Sequence, residues 1–174
     1  MDIPSDDIEL EDEYKKVLRE FVRPSILMFA GMYREVRGFY EKIEDIVDVD
    51  LYVISGRYGL IKDDEEIIPY DAYVENKKGA QELDERTNFS KHILEIANDV
   101  DLSMFFMATR YIQHIIDQGL LKKIESDIIV VSGKTIIDEI DDIENVTGLK
   151  KRGVARISWQ NRNRILELLE GNCD

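Results

Sequence analysis

The sequence predicts a single three-layer α/β domain, with a central, mostly parallel sheet of at least four strands flanked by helices. Three observations carry this. Four short apolar runs, at 25–29, 50–54, 102–107 and 127–131, are continuous rather than alternating, as strands buried on both faces are. Segments of helical spacing separate them, and strand–helix alternation builds a parallel sheet. The 174 residues, 44% of them hydrophobic, are enough for one core, and no Gly/Ser/Pro-rich linker divides them.

Residues 1–24 read as an acidic, helical N-terminal extension. Its ragged apolar stripe is Ile8, Leu10, Tyr14, Val17, Leu18 and Phe21, and Pro24 ends it. The α/β domain proper spans 25–174. It opens with the strand at 25–29 and a helix over 33–47, followed by the strand at 50–54. The stretch 60–79 is irregular and carries the run Lys62-Asp-Asp-Glu-Glu66; a connection this long is a binding loop or a solvated acidic surface. A helix over 80–100, the strand at 102–107, a helix over 111–123 and the strand at 127–131 complete the sheet. Helical spacing returns at 136–143 and again at 161–169.

Composition excludes several classes of function. With 37 acidic and 23 basic residues the net charge is −14, which repels nucleic acid and anionic membrane over most of the surface. No apolar run approaches the roughly 18 residues of a membrane span, and the acidic start is unlike a secretory leader, so no membrane partner and a cytoplasmic location are expected. A lone cysteine, Cys173, makes no disulfide framework. His92 and His114 are too few for a catalytic zinc centre and read as packing or surface residues. Asp63, Asp64, Glu65 and Glu66 read as solvated charge rather than a Mg²⁺ site, so no metal is expected and no cofactor is evident.

The candidate site lies where the strands end. The four runs lead into Ala30-Gly31-Met32-Tyr33-Arg34, Ser55-Gly56-Arg57-Tyr58-Gly59, Ala108-Thr109-Arg110-Tyr111 and Ser132-Gly133-Lys134-Thr135. Ligands of open parallel sheets sit beyond the carboxyl ends of the strands. Small residues there let the backbone approach, helix N-termini suit an anion, and the cations and tyrosines would hold phosphate and base. The expected ligand is a nucleotide-like molecule, a nucleobase or another anion. Small residues at strand–helix turns also serve simply to turn the chain. Two motifs are absent: Ile128 stands where a P-loop needs glycine, and Val53 where a nucleophile elbow does.

The stretch Tyr52-Val-Ile-Ser-Gly-Arg-Tyr-Gly-Leu-Ile61, followed by Ile67-Ile-Pro-Tyr-Asp71, resembles the signature of mostly uncharacterised microbial α/β domains related to the YaaA peroxide-stress proteins. In those, a strand ends in Ser-Ala-x-Tyr-Gly-Leu and leads to Ile-x-Pro-Tyr-Asp. A similar strand end occurs in the domain accompanying archaeal enzymes of 7-deazaguanine tRNA modification. The resemblance spans about residues 25–135 and departs at Gly56, where the pattern has alanine; the family's Cys- and Lys-bearing N-terminal signature is missing. It implies a nucleic-acid or nucleobase connection. It also marks Ser55, Tyr58, Gly59, Leu60, Pro69, Tyr70 and Asp71, either as ligand-binding residues or as two turns that pack together. Any catalysis would rest on Ser55, Arg57, Tyr70 and Asp71, in binding and proton transfer.

The segment 148–165 holds six bases and no acid: Lys150, Lys151, Arg152, Arg156, Arg162 and Arg164, with the single tryptophan, Trp159. As a nucleic-acid surface its cations would neutralise phosphates and Trp159 would stack on a base. Alternatively it docks on the acidic N-terminal helix, with Trp159 buried, within one chain or between subunits of a homo-oligomer. Three functions follow: a small-molecule site at the strand ends, a non-enzymatic nucleic-acid-binding protein, and an assembly protein without a ligand.

Overall fold

The computed structural model describes residues 3–153 and 156–171, so Cys173 lies outside them. A mixed α/β fold is what they form. Its centre is a three-stranded parallel sheet of β5 (Leu102–Phe105), β6 (Asp127–Ser132) and β7 (Val146–Lys150), in the order β5-β6-β7. The register pairs Leu102 with Asp127 and Ile128 with Val146, and carries Ser132 opposite Lys150. β6 is the middle strand, and its side chains alternate between two cores. Ile128 and Val130 join Phe89, Ile93, Ile112 and Ile136 on one face; Ile129 and Val131 join Phe39, Ile43, Ile157 and Ile165 on the other.

That two-sided burial defines three layers. α5 (Phe89–Asn98), α6 (Thr109–Asp117) and α7 (Lys134–Ile140) cover one face of the sheet, while α3 (Tyr33–Ile43) and α8 (Trp159–Gly171) cover the other. α3 buries Val36, Phe39 and Ile43, the helical spacing seen in the sequence. The expected helix over 80–100 is two: α4 (Lys77–Thr87) and α5 meet at Asn88, whose φ of 53° breaks the helix. Asparagine tolerates that left-handed geometry better than most residues. Asn76 caps α4, its Oδ1 accepting from the Gly79 N–H at 3.1 Å.

The four-strand parallel sheet expected from the sequence is corrected. β2 (Tyr52–Ser55) pairs antiparallel with β3 (Gly59–Lys62) in a separate hairpin, although Leu51 and Ile54 still pack on opposite cores. The run at 25–29 is no strand: Ser25–Met28 is a single helical turn, α2. Its first N–H groups are taken by the turn after β3, Ser25 N bonding Glu65 O at 2.8 Å and Ile26 N bonding Asp63 O at 3.0 Å. Just before it, β1 (Arg23–Pro24) pairs with β4 (Glu66–Ile67), so part of the stretch 60–79 is strand rather than irregular.

The N-terminal helix is likewise interrupted. 3₁₀ turns at Ile8–Leu10 and Arg19–Phe21 flank α1 (Glu11–Val17), in which Tyr14 alone is buried. No described helix is long and apolar enough to cross a membrane.

Candidate functional site

The turn joining β2 to β3 shows where Ser55, Tyr58 and Tyr70 are spent. Ser55 Oγ accepts the N–H groups of Arg57 at 3.2 Å and Tyr58 at 3.1 Å, which uses both lone pairs. Its proton therefore goes to the Tyr70 hydroxyl, 2.6 Å away. A hydroxyl so occupied, on a side chain 1% exposed, caps a turn and is no nucleophile. The Tyr58 hydroxyl donates to Glu11 Oε1 at 2.9 Å and accepts the Ile68 N–H at 3.3 Å, while its ring meets Tyr70 edge-on at 5.6 Å. Burial pushes the Tyr58 phenol up to about 12 and raises that of Tyr70.

Two glycines make this packing feasible. At Gly56 a Cβ would lie 1.9 Å from the Ala72 carbonyl oxygen, and at Gly59 it would meet Thr87 Oγ1 at 2.4 Å with φ already at +76°. Pro69 and Tyr70 are half-buried, and Asp71 is exposed, its N–H bonding the Pro4 carbonyl at 2.8 Å rather than its carboxylate meeting Arg57. Leu60 packs into the core beside Ile54.

Arg57 is fully buried. All five of its N–H donors are taken by the N-terminal segment: Nη1 by Ser5 O at 2.6 Å and Asp7 Oδ1 at 2.7 Å, Nη2 by Asp7 O and Glu11 Oε2, and Nε by Glu11 Oε2. The Tyr14 and Tyr58 rings lie against the guanidinium, each 5.5 Å away. Burial opposes the charge, but the bonds to Asp7 and Glu11 hold the Arg57 pKa above its ordinary value. The Tyr14 hydroxyl and then Arg57 hold Asp7 down to about 2. Arg57 therefore has no donor left for a ligand, contrary to the expectation from its position after a strand.

The C-terminal edge of the parallel sheet is different. Arg110, in the first turn of α6 after β5, lies 5.0 Å from the Tyr73 ring and 5.1 Å from the Tyr111 ring. Its Nε is buried without a hydrogen-bond partner. Arg156 sits near it: burial lowers the Arg156 pKa, and the Arg110 charge lowers it further. Burial raises the Tyr111 phenol, with Arg110 opposing. Ser132, Gly133 and Lys134 end β6, and Lys150 ends β7 directly opposite Ser132, with the Lys151 N–H donating to Ser132 O at 2.6 Å. Thr109, Gly133, Lys134, Lys150 and Arg152 are exposed. Among the described residues, none of Arg110, Lys134, Lys150, Lys151, Arg152 and Arg156 forms an ion pair.

Other expected residues lie elsewhere. Because 25–28 is helical, Gly31, Tyr33 and Arg34 do not end a strand of the sheet. Gly31 turns the chain with φ 65°, Arg34 is exposed, and burial together with Asp63 raises Tyr33 to about 12. Arg162 donates to the Glu35 carbonyl at 3.0 Å and Arg164 pairs with Glu167, both serving α8. Trp159 is 67% exposed, so it is no core anchor, and among the described residues the basic segment makes no ion pair with the N-terminal acids, of which Asp7 and Glu11 pair with Arg57 and Lys15 instead.

Sequence reasoning missed Tyr73, which lies in the irregular stretch and carries no periodicity. Tyr73 also borders an open cleft of about 550 Å³ with Gly56, Asp71 and Arg86. It missed Asp84 as well: the carboxylate meets His114 Nε2 at 2.8 Å and accepts the Ser90 N–H at 2.8 Å, beside a second cleft of about 530 Å³. Only the burial of His114 on a helix face was foreseeable. Among the described residues no three His, Cys, Asp or Glu side chains converge to hold a metal ion.

No protein-family model matches the chain, and no curated protein or solved structure is significantly similar to it.

Proposed function

We propose that this protein binds a phosphate-bearing, nucleotide-like ligand at the C-terminal edge of β5, β6 and β7, in nucleotide or nucleic-acid metabolism. One observation supports this above the others. The Arg110 charge is near enough to oppose that of Arg156, both are partly withdrawn from water, and among the described residues no carboxylate pairs with either in a chain of net charge −14. Holding two like charges together costs stability unless an anion joins them, and such arrangements concentrate at functional sites. The Tyr73 and Tyr111 rings flank Arg110; Tyr111 is buried, and the exposed Tyr73 ring offers a flat face beside the phosphate position. Ser132 and Lys134 stand at the next strand end as further contacts. The resemblance to YaaA-like domains is part of the same reading and points to the same ligand class. The role proposed for these residues is binding.

The test is thermal stability in the presence of inorganic phosphate, nucleoside mono- and triphosphates, and sugar phosphates. A ligand at a hundred times its dissociation constant stabilises by about 2.7 kcal/mol, which is several degrees for a domain of this size. Arg110→Ala is expected to remove that shift without lowering the melting temperature of the unliganded protein. No shift with any phosphate-bearing compound overturns the reading.

A further inference from the structure

We infer that the physiological occupant of this edge is a single-stranded nucleic acid, with one of its bases stacked on Trp159. The inference rests on the phosphate-binding reading above and names its ligand class. Arg110 and Arg156 suffice for one phosphate, yet the unpaired cations continue past them. Lys134 follows β6, and Lys150, Lys151 and Arg152 follow in unbroken sequence at the end of β7. Adjacent strands lie about 4.8 Å apart, so these charges form a stripe along the edge rather than one pocket. A stripe tracks a backbone carrying several phosphates.

Trp159 stands on the helix turn that meets this stripe. It opens α8, and two residues later Asn161 donates its side-chain N–H to the Lys150 carbonyl at 3.3 Å, which fixes the first turn of α8 to the basic strand end. The indole is 67% exposed, an uncovered aromatic face on the helix turn that is tied to that strand end. An aromatic face beside a cationic stripe is the arrangement that takes unpaired bases, whereas bases in a duplex are already stacked on one another. The acidic remainder of the surface repels polyanions and so confines binding to this edge.

Trp159 is the chain's single tryptophan, so its emission reports on this turn of α8 alone. A single-stranded oligodeoxythymidine titrated at low salt is expected to quench it and to bind more weakly as salt rises, log K falling by about 0.7 per phosphate contact per decade of salt. Trp159→Ala, followed by fluorescence anisotropy of a labelled oligonucleotide, is expected to weaken binding about tenfold. Neutralising Lys150, Lys151 and Arg152 to Gln is expected to weaken it further, with a much smaller loss in the mononucleotide thermal shift, which depends chiefly on Arg110. Binding of a duplex as tightly as the single strand, without quenching, overturns the stacked base. Stabilisation by a mononucleotide with no oligonucleotide binding overturns this inference and leaves the preceding reading standing. Absence of both overturns the two together.

Discussion

Arg57 and Arg110 are placed alike and used differently. Each follows a strand and, immediately before it, two small residues, and each guanidinium lies against two tyrosine rings at 5.0 to 5.5 Å. Around Arg57 the N-terminal segment supplies two carboxylates and two carbonyls, and every donor is used. Around Arg110 no described carboxylate forms an ion pair, the buried Nε has no partner, and a second arginine is near. A strand-end cation with its carboxylates built in holds the fold together; one without them can hold an anion instead.

The sharpest way to break this contrast is to remove the two arginines in turn. Arg57→Ala leaves Asp7 and Glu11 without their cation and should destabilise the fold by about 3 kcal/mol in urea unfolding, the low end for a broken buried pair because the acids are partly exposed. Gly56→Ala should cost about 2 kcal/mol by the same measurement, since the methyl group overlaps the Ala72 carbonyl and the loop carrying Tyr70 must shift.

Acid should weaken the Arg57 side selectively. The Asp7 pKa is depressed in the fold, from 3.8 to about 2, so its contribution is complete above 3.8 and is lost as pH falls through about 2. Asp7→Asn should therefore melt below the wild type at neutral pH, and the two melting curves should converge as pH approaches 2. The smallest effect belongs to Arg110. Arg110→Ala should leave unfolding free energy within about 0.5 kcal/mol of the wild type, because the repulsion from Arg156 that it relieves offsets the contacts with Tyr73 and Tyr111 that it loses. A loss comparable to that of Arg57→Ala would mean that the two sites are equivalent after all.

What could be read from the sequence follows the depth of burial. β5 and β6 were legible as continuous apolar runs because helices cover both their faces. β7 was not, since Val146-Thr-Gly-Leu-Lys150 is a half-exposed edge strand with polar residues on its open side. The run at 25–29 misled for the converse reason: Ser25-Ile-Leu-Met-Phe29 is apolar, yet Leu27 is 53% exposed and helix-forming leucine and methionine outnumber its one β-branched residue. β3 was hidden because four residues beside an acidic run carry too little pattern. Of the site, Thr109, Arg110, Ser132, Gly133 and Lys134 were legible from their position after β5 and β6. The meeting of Arg110 with Arg156 and Tyr73 was not, because tertiary proximity between a loop after β4 and a segment after β7 leaves no trace in local spacing. Gly56, where the YaaA-like pattern has alanine, is explained by the Ala72 carbonyl that occupies the place of its Cβ.

The Arg57 cluster also decides how the first residues of the chain come and go. α1 contributes little apolar burial, and Ile8, Leu10 and Val17 face solvent, so little hydrophobic surface holds the segment down. Detaching it would nevertheless take every hydrogen-bond acceptor from the Arg57 guanidinium, and the Tyr58 hydroxyl would lose Glu11 at the same moment. The segment and the tip of the β2–β3 hairpin must therefore open together, as one cooperative unit below global unfolding. Amide hydrogens of α1 and of the Ser55–Gly59 turn would then exchange at a common rate, 40-odd residues apart in sequence, while those of β6 wait for the whole molecule to unfold.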